Sequence, residues 1–341
     1  MYGRAARFRR AWYGRHPERV RRLSRPVISV GNLTVGGSGK TPLVAAIARL
    51  LLDAGERPAV LSRGYGRRHA ADGVVVVSDG HGARVPVALS GDEPQMLARA
   101  LTGVPVLVSP DRYLAGCLAE RQFHCTVHIL DDGFQHLQLA RDVNLLAIDR
   151  SDFAESVLPL GRLREPLDAA RAADAILISS DESDLDAFSA TIGAPKTFRV
   201  FSRHGEPRML SATRPRPAGR RVVAVAGIAR PSRFFDALRA GGWDVAREIV
   251  FRDHHWFSRR DLAAIQGGAG YAGADLILTT EKDAVRLDPQ SVAASRTPWA
   301  AVPLDVWIEP ATFTSWIKNV MGSGVIFRGH PSVSRTGVLE K

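Results

Sequence analysis

Short apolar runs recur along the first half of the chain, each ending in small or polar residues and followed by a helical pattern. Pro26 to Val30 leads into a glycine-rich loop and then Leu43 to Leu52, apolar at helical spacing. Ala59 to Leu61 leads into Ser62-Arg63-Gly64-Tyr65-Gly66, and Val104 to Val108 into Ser109-Pro110-Asp111-Arg112. Val127 to Leu130 leads into Asp131-Asp132-Gly133, and Val143 to Ile148 and Ala175 to Ile178 complete the series. Brief runs of β-branched and aliphatic residues between helices are the pattern of parallel strands covered on both faces. Val74 to Val77 and Val85 to Leu89, around Asp79-Gly80-His81-Gly82, predict a β-hairpin near one edge.

The pattern changes near residue 195. Residues 195–220, rich in Pro, Arg and Gly, read as a linker. A second unit begins at Arg221, with a strand over Val222 to Ala226, a turn at Gly227 and a helix over Arg233 to Ala240. Leu276 to Thr279 and Trp299 to Val306 predict further strands, and the tail after 322 has no clear period. The expected fold class is α/β: a mostly parallel sheet flanked by helices over 26–194, and a smaller α/β domain over 221–321. Residues 1–25 form a separate basic segment and 322–341 a tail. The length of 341 residues agrees with two domains at roughly 150 residues each.

Composition narrows the class. An apolar share of 45% with 24% charged residues describes a globular chain, not a disordered or fibrous one. No apolar stretch approaches the ~20 residues that cross a bilayer. The four arginines of Met1 to Arg10, with no apolar core, exclude a secretory signal. Cys117 and Cys125 are too few for a disulfide framework and match no common zinc spacing, which points to a reducing compartment. The net charge of +11 bears on partners: nucleic acid, an anionic membrane or a phosphorylated substrate. Residues 1–25 carry nine arginines against one acid, Glu18, interleaved with Tyr2, Phe8, Trp12 and Tyr13. Phe8 and Trp12, four apart, share a helical face, which suits a helix lying in lipid headgroups; a solvated basic arm has the same composition.

The strongest local signal runs from Gly31 to Thr41 and contains Thr34-Val35-Gly36-Gly37-Ser38-Gly39-Lys40-Thr41. It follows a predicted strand and opens a predicted helix, the context of a phosphate-binding P-loop. Glycines let successive amides point into one concavity, where the helix N-terminus adds positive potential. Lys40 reaches the β- and γ-phosphates, and the Thr41 hydroxyl suits Mg²⁺. One departure is visible: Thr34 stands where the generic pattern has its first glycine. Val127 to Asp132 has the apolar strand and terminal carboxylates of a Walker B element, with the choice between Asp131 and Asp132 as metal ligand left open.

These residues resemble one family, the tetraacyldisaccharide 4′-kinases, which are the lipid A 4′-kinases of Gram-negative bacteria. The matching segments, in order, are Ser29 to Asn32 through Thr41-Pro42, Ser62 to Gly66, Gly91-Asp92-Glu93-Pro94, and Asp131-Asp132-Gly133-Phe134-Gln135-His136. Leu158 to Pro166, Asp253-His254 and Thr280-Glu281-Lys282-Asp283 follow. The resemblance implies transfer of the γ-phosphoryl group of ATP, with Mg²⁺, to the 4′-hydroxyl of an acylated glucosamine disaccharide 1-phosphate, giving lipid IVA. It implies a monotopic or peripheral protein on the cytoplasmic face of the bacterial inner membrane, where residues 1–25 meet anionic lipid. No nucleic acid or obligate protein partner is then required.

By the same resemblance Asp92 is the catalytic aspartate and His254 its partner, with His255 an alternative. Read from the residues alone, Asp92 better suits a helix cap before Pro94, and His254 a surface histidine. Tyr65, Arg112, His136 and Arg164 are implied as substrate or phosphate contacts, and Glu165 as a further holder of Mg²⁺ or its waters. Lys282 is left without a role. Two other classes compete. A GTPase needs a guanine-reading Asn-Lys-x-Asp, whereas Glu281-Lys282-Asp283 sets Lys and Asp side by side. A nucleic-acid binder needs a recognisable motif, and the basic excess is concentrated at the N-terminus instead.

Overall fold

The computed structural model describes residues 2–36, 39–69, 71–179, 192–193, 196–211 and 214–324. Gly37 and Ser38 of the expected phosphate loop, and residues 325–341 of the expected tail, lie outside the described residues. Helix α1 (Tyr2–Arg15) precedes β1 (Val27–Asn32), α2 (Lys40–Asp53), β2 (Pro58–Ser62), β3 (Val75–Asp79) and a helical turn α3 (Val87–Ser90). Then come α4 (Asp92–Ala100), β4 (Pro105–Val108), α5 (Arg112–Phe123), β5 (Val127–Asp131), β6 (Val143–Asp149), β7 (Ala175–Ser179) and β8 (Thr197–His204). The rest runs β9 (Arg208–Met209), β10 (Arg221–Ala226), α6 (Pro231–Ala240), β11 (Asp244–Val250), α7 (Arg259–Tyr271) and β12 (Leu276–Thr280). It ends with α8 (Glu281–Ala284), α9 (Pro289–Ala293), β13 (Trp299–Val302), β14 (Leu304–Ile308) and α10 (Pro310–Gly324).

Among the described residues these strands form a nine-stranded sheet, ordered β14-β8-β7-β6-β1-β5-β2-β4-β3, and a five-stranded sheet, ordered β11-β10-β12-β13-β9. The large sheet is parallel from β8 to β4, with antiparallel strands at both edges. Every residue of β1, β2, β4 and β5 is buried, as unbroken apolar runs require when helices cover both faces. Because the chain leaves β1 toward β2 on one side and leaves the adjacent β6 toward β7 on the other, the C-terminal strand ends open a crevice beside β1. Ligands bind open α/β sheets in such a crevice.

Three expectations are corrected. The segment 195–220 is no linker: β8 joins the large sheet and β9 the small one. Phe198 and Val200 alternate inward along β8, a period of two masked by the surrounding Pro, Arg and Gly. The second unit does not run to 321, since β14 pairs with β8, and Phe313 and Ile317 of α10 are fully buried in the large core. The chain therefore crosses between the sheets twice. The predicted hairpin also fails in its second half. Ser78 and Ala83 make one antiparallel bridge, but Pro86 then N-caps α3, while β3 pairs with β4. Proline lacks an amide for a ladder and has a φ suited to a helix start.

Helix α1 lies along the 157–168 segment. Arg10 makes two 3.0 Å hydrogen bonds to Glu165 and stacks 4.6 Å from the centre of the Phe134 ring. Arg7 pairs with Asp168 at 2.7 Å, and Arg9 Nη1 donates to the Gln135 carbonyl at 2.8 Å. Arg4, Phe8, Ala11 and Arg15, at helical spacing, remain exposed.

Candidate active site

At the end of β1 the backbone must turn sharply into α2. Gly39 takes the left-handed conformation (φ 71°) as N-cap of α2, and Gly36 does the same (φ 93°) beside Ala229 of the small-sheet unit. Lys40 opens the helix, and its Nζ donates to Asn32 Oδ1 and to Asp132 Oδ1, both at 2.7 Å. Burial lowers its pKa, with the Asp132 charge opposing. Thr34, the departure from the generic loop, is buried; its hydroxyl accepts from Asn32 Nδ2 at 2.9 Å, and its backbone bridges to Leu163. The Val35 amide donates to the Arg162 carbonyl at 2.8 Å, so the 158–166 loop braces the phosphate loop. Thr41 occupies the second position of α2.

The two aspartates ending β5 are in different states. Asp131 is buried, accepts a 3.2 Å hydrogen bond from the Ser62 hydroxyl, and is pushed up to about 6 by burial and by the charge of Asp132. Asp132 sits at φ 54° with both oxygens engaged: Arg164 donates to each at 2.8 Å, and Lys40 shares Oδ1. Burial opposes its charge, but Lys40 and Arg164 outweigh this and hold it well below the usual carboxylate range. Arg164 also donates to the Asn32 side chain and, at 3.1 Å, to its carbonyl. Asn32 therefore joins Lys40, Asp132 and Arg164 into one network, a role that sequence reading missed although Asn32 closes the Ser-Val-Gly-Asn run.

The loop Ser62 to Gly66 carries the site from β5 to α4. A Cβ on Gly64 would meet Val108 at 2.5 Å and the Ser90 carbonyl at 2.8 Å. One on Gly91 would meet the Tyr65 carbonyl at 2.5 Å, and one on Gly66 would meet His254 Nδ1 at 3.2 Å. These glycines, all at positive φ, let the backbone approach Asp92, the first residue of α4. The Asp92 side chain is buried and aimed at His254, whose Nδ1 lies 2.9 Å from Oδ2 and 3.2 Å from Oδ1. His254 comes from the β11–α7 connection and sits at φ 60°. His255 is turned away, bonded to Asp261 at 3.1 Å and stacked on Phe251, so it is excluded as the partner.

Cations surround the pair. Lys282, from α8, lies 3.0 Å from Glu93, 3.2 Å from Asp253, 3.2 Å from His254 Nε2 and 3.9 Å from Asp92. Arg286, almost wholly buried, lies 3.4 Å from Asp92 and pairs with Asp283. Burial works against the Asp92 charge, but the His254 and Glu93 hydrogen bonds and the Lys282 charge hold Asp92 below the usual range. Glu93 is shifted the other way, raised by burial and by the Asp92 charge against the pull of Lys282. Lys282, noticed in sequence but left without a role, and Arg286, not noticed, lie some 190 residues from Asp92.

The remaining expected residues divide. Arg112 starts α5, buried, with Nη1 on the Pro110 carbonyl at 3.2 Å; burial and Arg63 draw it down to about 10, still a cation. Burial and the charge of Arg112 push His136 down to about 3, so it is neutral near pH 7. Arg112 Nε, His136 Nε2 and Arg164 Nε are buried without a hydrogen-bond partner among the described residues. Such atoms at the strand ends suit an acceptor-rich ligand. Tyr65 is 69% exposed, with its ring edge-on to His254 at 5.2 Å, at the mouth. Glu165 departs from expectation, since both its oxygens are taken by Arg10 of α1.

The sequence profile of the family described as Tetraacyldisaccharide-1-P 4'-kinase matches residues 1–322. The chain is 43% identical over 297 residues to the tetraacyldisaccharide 4'-kinase of Geobacter metallireducens, covering 84% of this chain and 86% of that one. It is 40% identical over 330 residues to that of Pelobacter propionicus, covering 94% and 90%. The corresponding protein of Nitrobacter winogradskyi is 46% identical over 286 residues, covering 81% of each chain. Among solved structures, that of LpxK from Aquifex aeolicus in complex with ATP superposes with a TM-score of 0.75 at 33% identity, covering 94% of this chain and 96% of that one.

Proposed function

The chain belongs to the Tetraacyldisaccharide-1-P 4'-kinase family, and on that premise we propose how its residues divide the reaction. It is an ATP-dependent kinase that phosphorylates the 4′-hydroxyl of a tetraacylated glucosamine disaccharide 1-phosphate in lipid A synthesis. The division of roles rests on one observation: a single loop, Ser62 to Gly66, reaches from Asp131, the chain neighbour of Asp132, to the Asp92–His254 pair.

Phosphoryl transfer asks the protein for positioning and charge stabilisation. The amides of the Thr34–Thr41 loop and Lys40 hold the triphosphate. Asp131 and the Thr41 hydroxyl fit Mg²⁺: a carboxylate and a hydroxyl oxygen beside the phosphates are the hard donors this ion takes. When bound, the ion neutralises charge on the β- and γ-phosphates. Asp132 is withdrawn as a ligand because Lys40 and Arg164 fill its oxygens, and Glu165 because Arg10 fills its own. Asp92 orients the 4′-hydroxyl and accepts its proton, and His254 holds the Asp92 carboxylate. Arg112, His136 and Arg164 receive phosphate oxygens, and Tyr65 lines the sugar entrance. In a mass-spectrometric assay with the disaccharide lipid, ATP and Mg²⁺, the product gains one phosphate on the non-reducing sugar. A phosphate on any other position would refute the acceptor.

No helix among the described residues is long and apolar enough to cross a membrane. We infer that α1 instead lies on the anionic cytoplasmic face of the inner membrane, and that this lipid partner, not nucleic acid, accounts for the basic charge. Arg7 and Arg10 bind the protein, whereas Arg4, Phe8 and Arg15 point outward, with Phe8 69% exposed. Such an arrangement buries an aromatic ring among headgroups while arginines meet phosphates. Phe8→Ser is expected to weaken flotation with anionic liposomes about tenfold, the scale of one buried aromatic ring. Unchanged flotation would remove α1 as the contact.

A further inference from the structure

Lys282 has an ammonium with three N–H bonds and, around it, three acceptors: Glu93 Oε1 at 3.0 Å, Asp253 Oδ1 at 3.2 Å and His254 Nε2 at 3.2 Å. An ammonium offers donors only, so the last contact is a hydrogen bond only if Nε2 carries a lone pair. Nδ1, 2.9 Å from Asp92, then carries the imidazole proton. Asp92, Glu93 and His254 present ligand atoms within 4.8 Å of one another, a grouping able to hold a cation; Lys282 Nζ is the cation among them.

We propose that Lys282 is a positioning residue that keeps His254 neutral, donating to Nε2 so that the imidazole gives its only proton to Asp92. The proposal rests on the reading of Asp92 and His254 as the reacting pair. An imidazolium would bind the carboxylate more tightly and make it a poorer proton acceptor for the sugar hydroxyl; a neutral donor orients the carboxylate and leaves its basicity. The charged groups facing His254 are Asp92 and Glu93 from α4, Asp253 beside it and Lys282 from α8, with Arg286 behind Asp92. The carboxylates favour the imidazolium, and Lys282, closest to Nε2, opposes them. Burial disfavours the charged ring, but its net shift is upward, because the Asp92 bond and the carboxylate charges outweigh burial; the Lys282 charge works against them and limits the rise.

The test is a pH–rate profile of kcat/KM for Lys282→Met and Lys282→Arg beside the unaltered kinase, with Asp92→Asn and His254→Ala as controls. Loss of Lys282 should move the acid limb up by about one pH unit, the scale of one close unit charge in a partly wet site, with KM for ATP unchanged. Lys282→Arg should return the limb most of the way. An acid limb that stays put in Lys282→Met while the rate falls evenly at all pH overturns the proposal and leaves Lys282 a structural ion pair. That outcome with inactive Asp92→Asn spares the reading of the pair; full activity of both controls overturns the pair instead. Should Lys282→Met not fold, ¹⁵N spectra of the histidine-labelled, unaltered protein decide. Nε2 of His254 unprotonated at pH 7.5 supports the proposal, and a ring protonated on both nitrogens refutes it.

Discussion

Asp92→Asn is expected to lower kcat about 10²- to 10⁴-fold, the range by which a positioned general base accelerates proton transfer, while ATP binds as before. The two amino acids differ by one charge at almost constant volume, so the change isolates chemistry from packing. The Asn side chain can still accept from His254 Nδ1, where the carboxylate accepts at 2.9 Å, and the loop glycines that approach Asp92 meet no larger group. What disappears is the anion that, in the proposed division of roles, orients and deprotonates the sugar hydroxyl. Asp92 is held below the usual carboxylate range, so it is ionised throughout the neutral region but is a weak base. A weak base suffices because the transition state of phosphoryl transfer is loose and asks little of the nucleophile. The acid side of the rate profile therefore reports the coupled Asp92–His254 pair, not an isolated carboxylate. Steady-state kinetics with calorimetric ATP binding checks this; a kcat within threefold of the unaltered enzyme would remove Asp92 from the chemistry.

How much of this was legible depends on the distance over which each arrangement is encoded. Lys40 and the glycines lie within one strand–loop–helix passage, and the order of apolar run, Gly-rich loop and helical period is readable without knowing anything else in the molecule. Asp131 and Asp132 carry the same kind of local signal, but their division of labour depends on Arg164, Ser62 and Lys40, which come from three other segments. The pairing of Asp92 with His254 spans 162 positions and reads locally as a helix start and a surface histidine; the family resemblance, not the pattern of residues, pointed to it. The ion pair of Glu165 was illegible for the same reason, since its partner Arg10 is 155 positions away. Strands β8 and β14 were missed or misassigned because a strand's neighbours are not written in its own residues. Two buried side chains on β8 are a weak signal until β14 returns from the far end of the chain to pair with it.

Lys40→Met should cost about 10²- to 10³-fold in kcat/KM for ATP, the loss typical when one charged stabiliser of a reacting oxygen is deleted. The same substitution should change folding stability little. Lys40 holds Asn32 and Asp132, but Arg164 donates to both of these as well, so neither acceptor is orphaned when the ammonium leaves. The two effects diverge because the network has two cations for folding, whereas the N-terminus of α2 has Lys40 alone as a flexible point charge able to follow the phosphates. Removing it also unbalances the field: Asp131 and Asp132 then face a triphosphate with one positive neighbour fewer, and repulsion adds to the lost attraction. Lys40→Arg should rescue poorly, because a planar fork cannot replace a compact ammonium wedged between Asn32 and Asp132 at 2.7 Å from each. Thermal unfolding and ATP-dependent kinetics on the two variants check both halves. If Lys40→Met unfolds many degrees lower, its activity loss is structural; if it turns over at the normal rate, the loop does not grip the transferring phosphate.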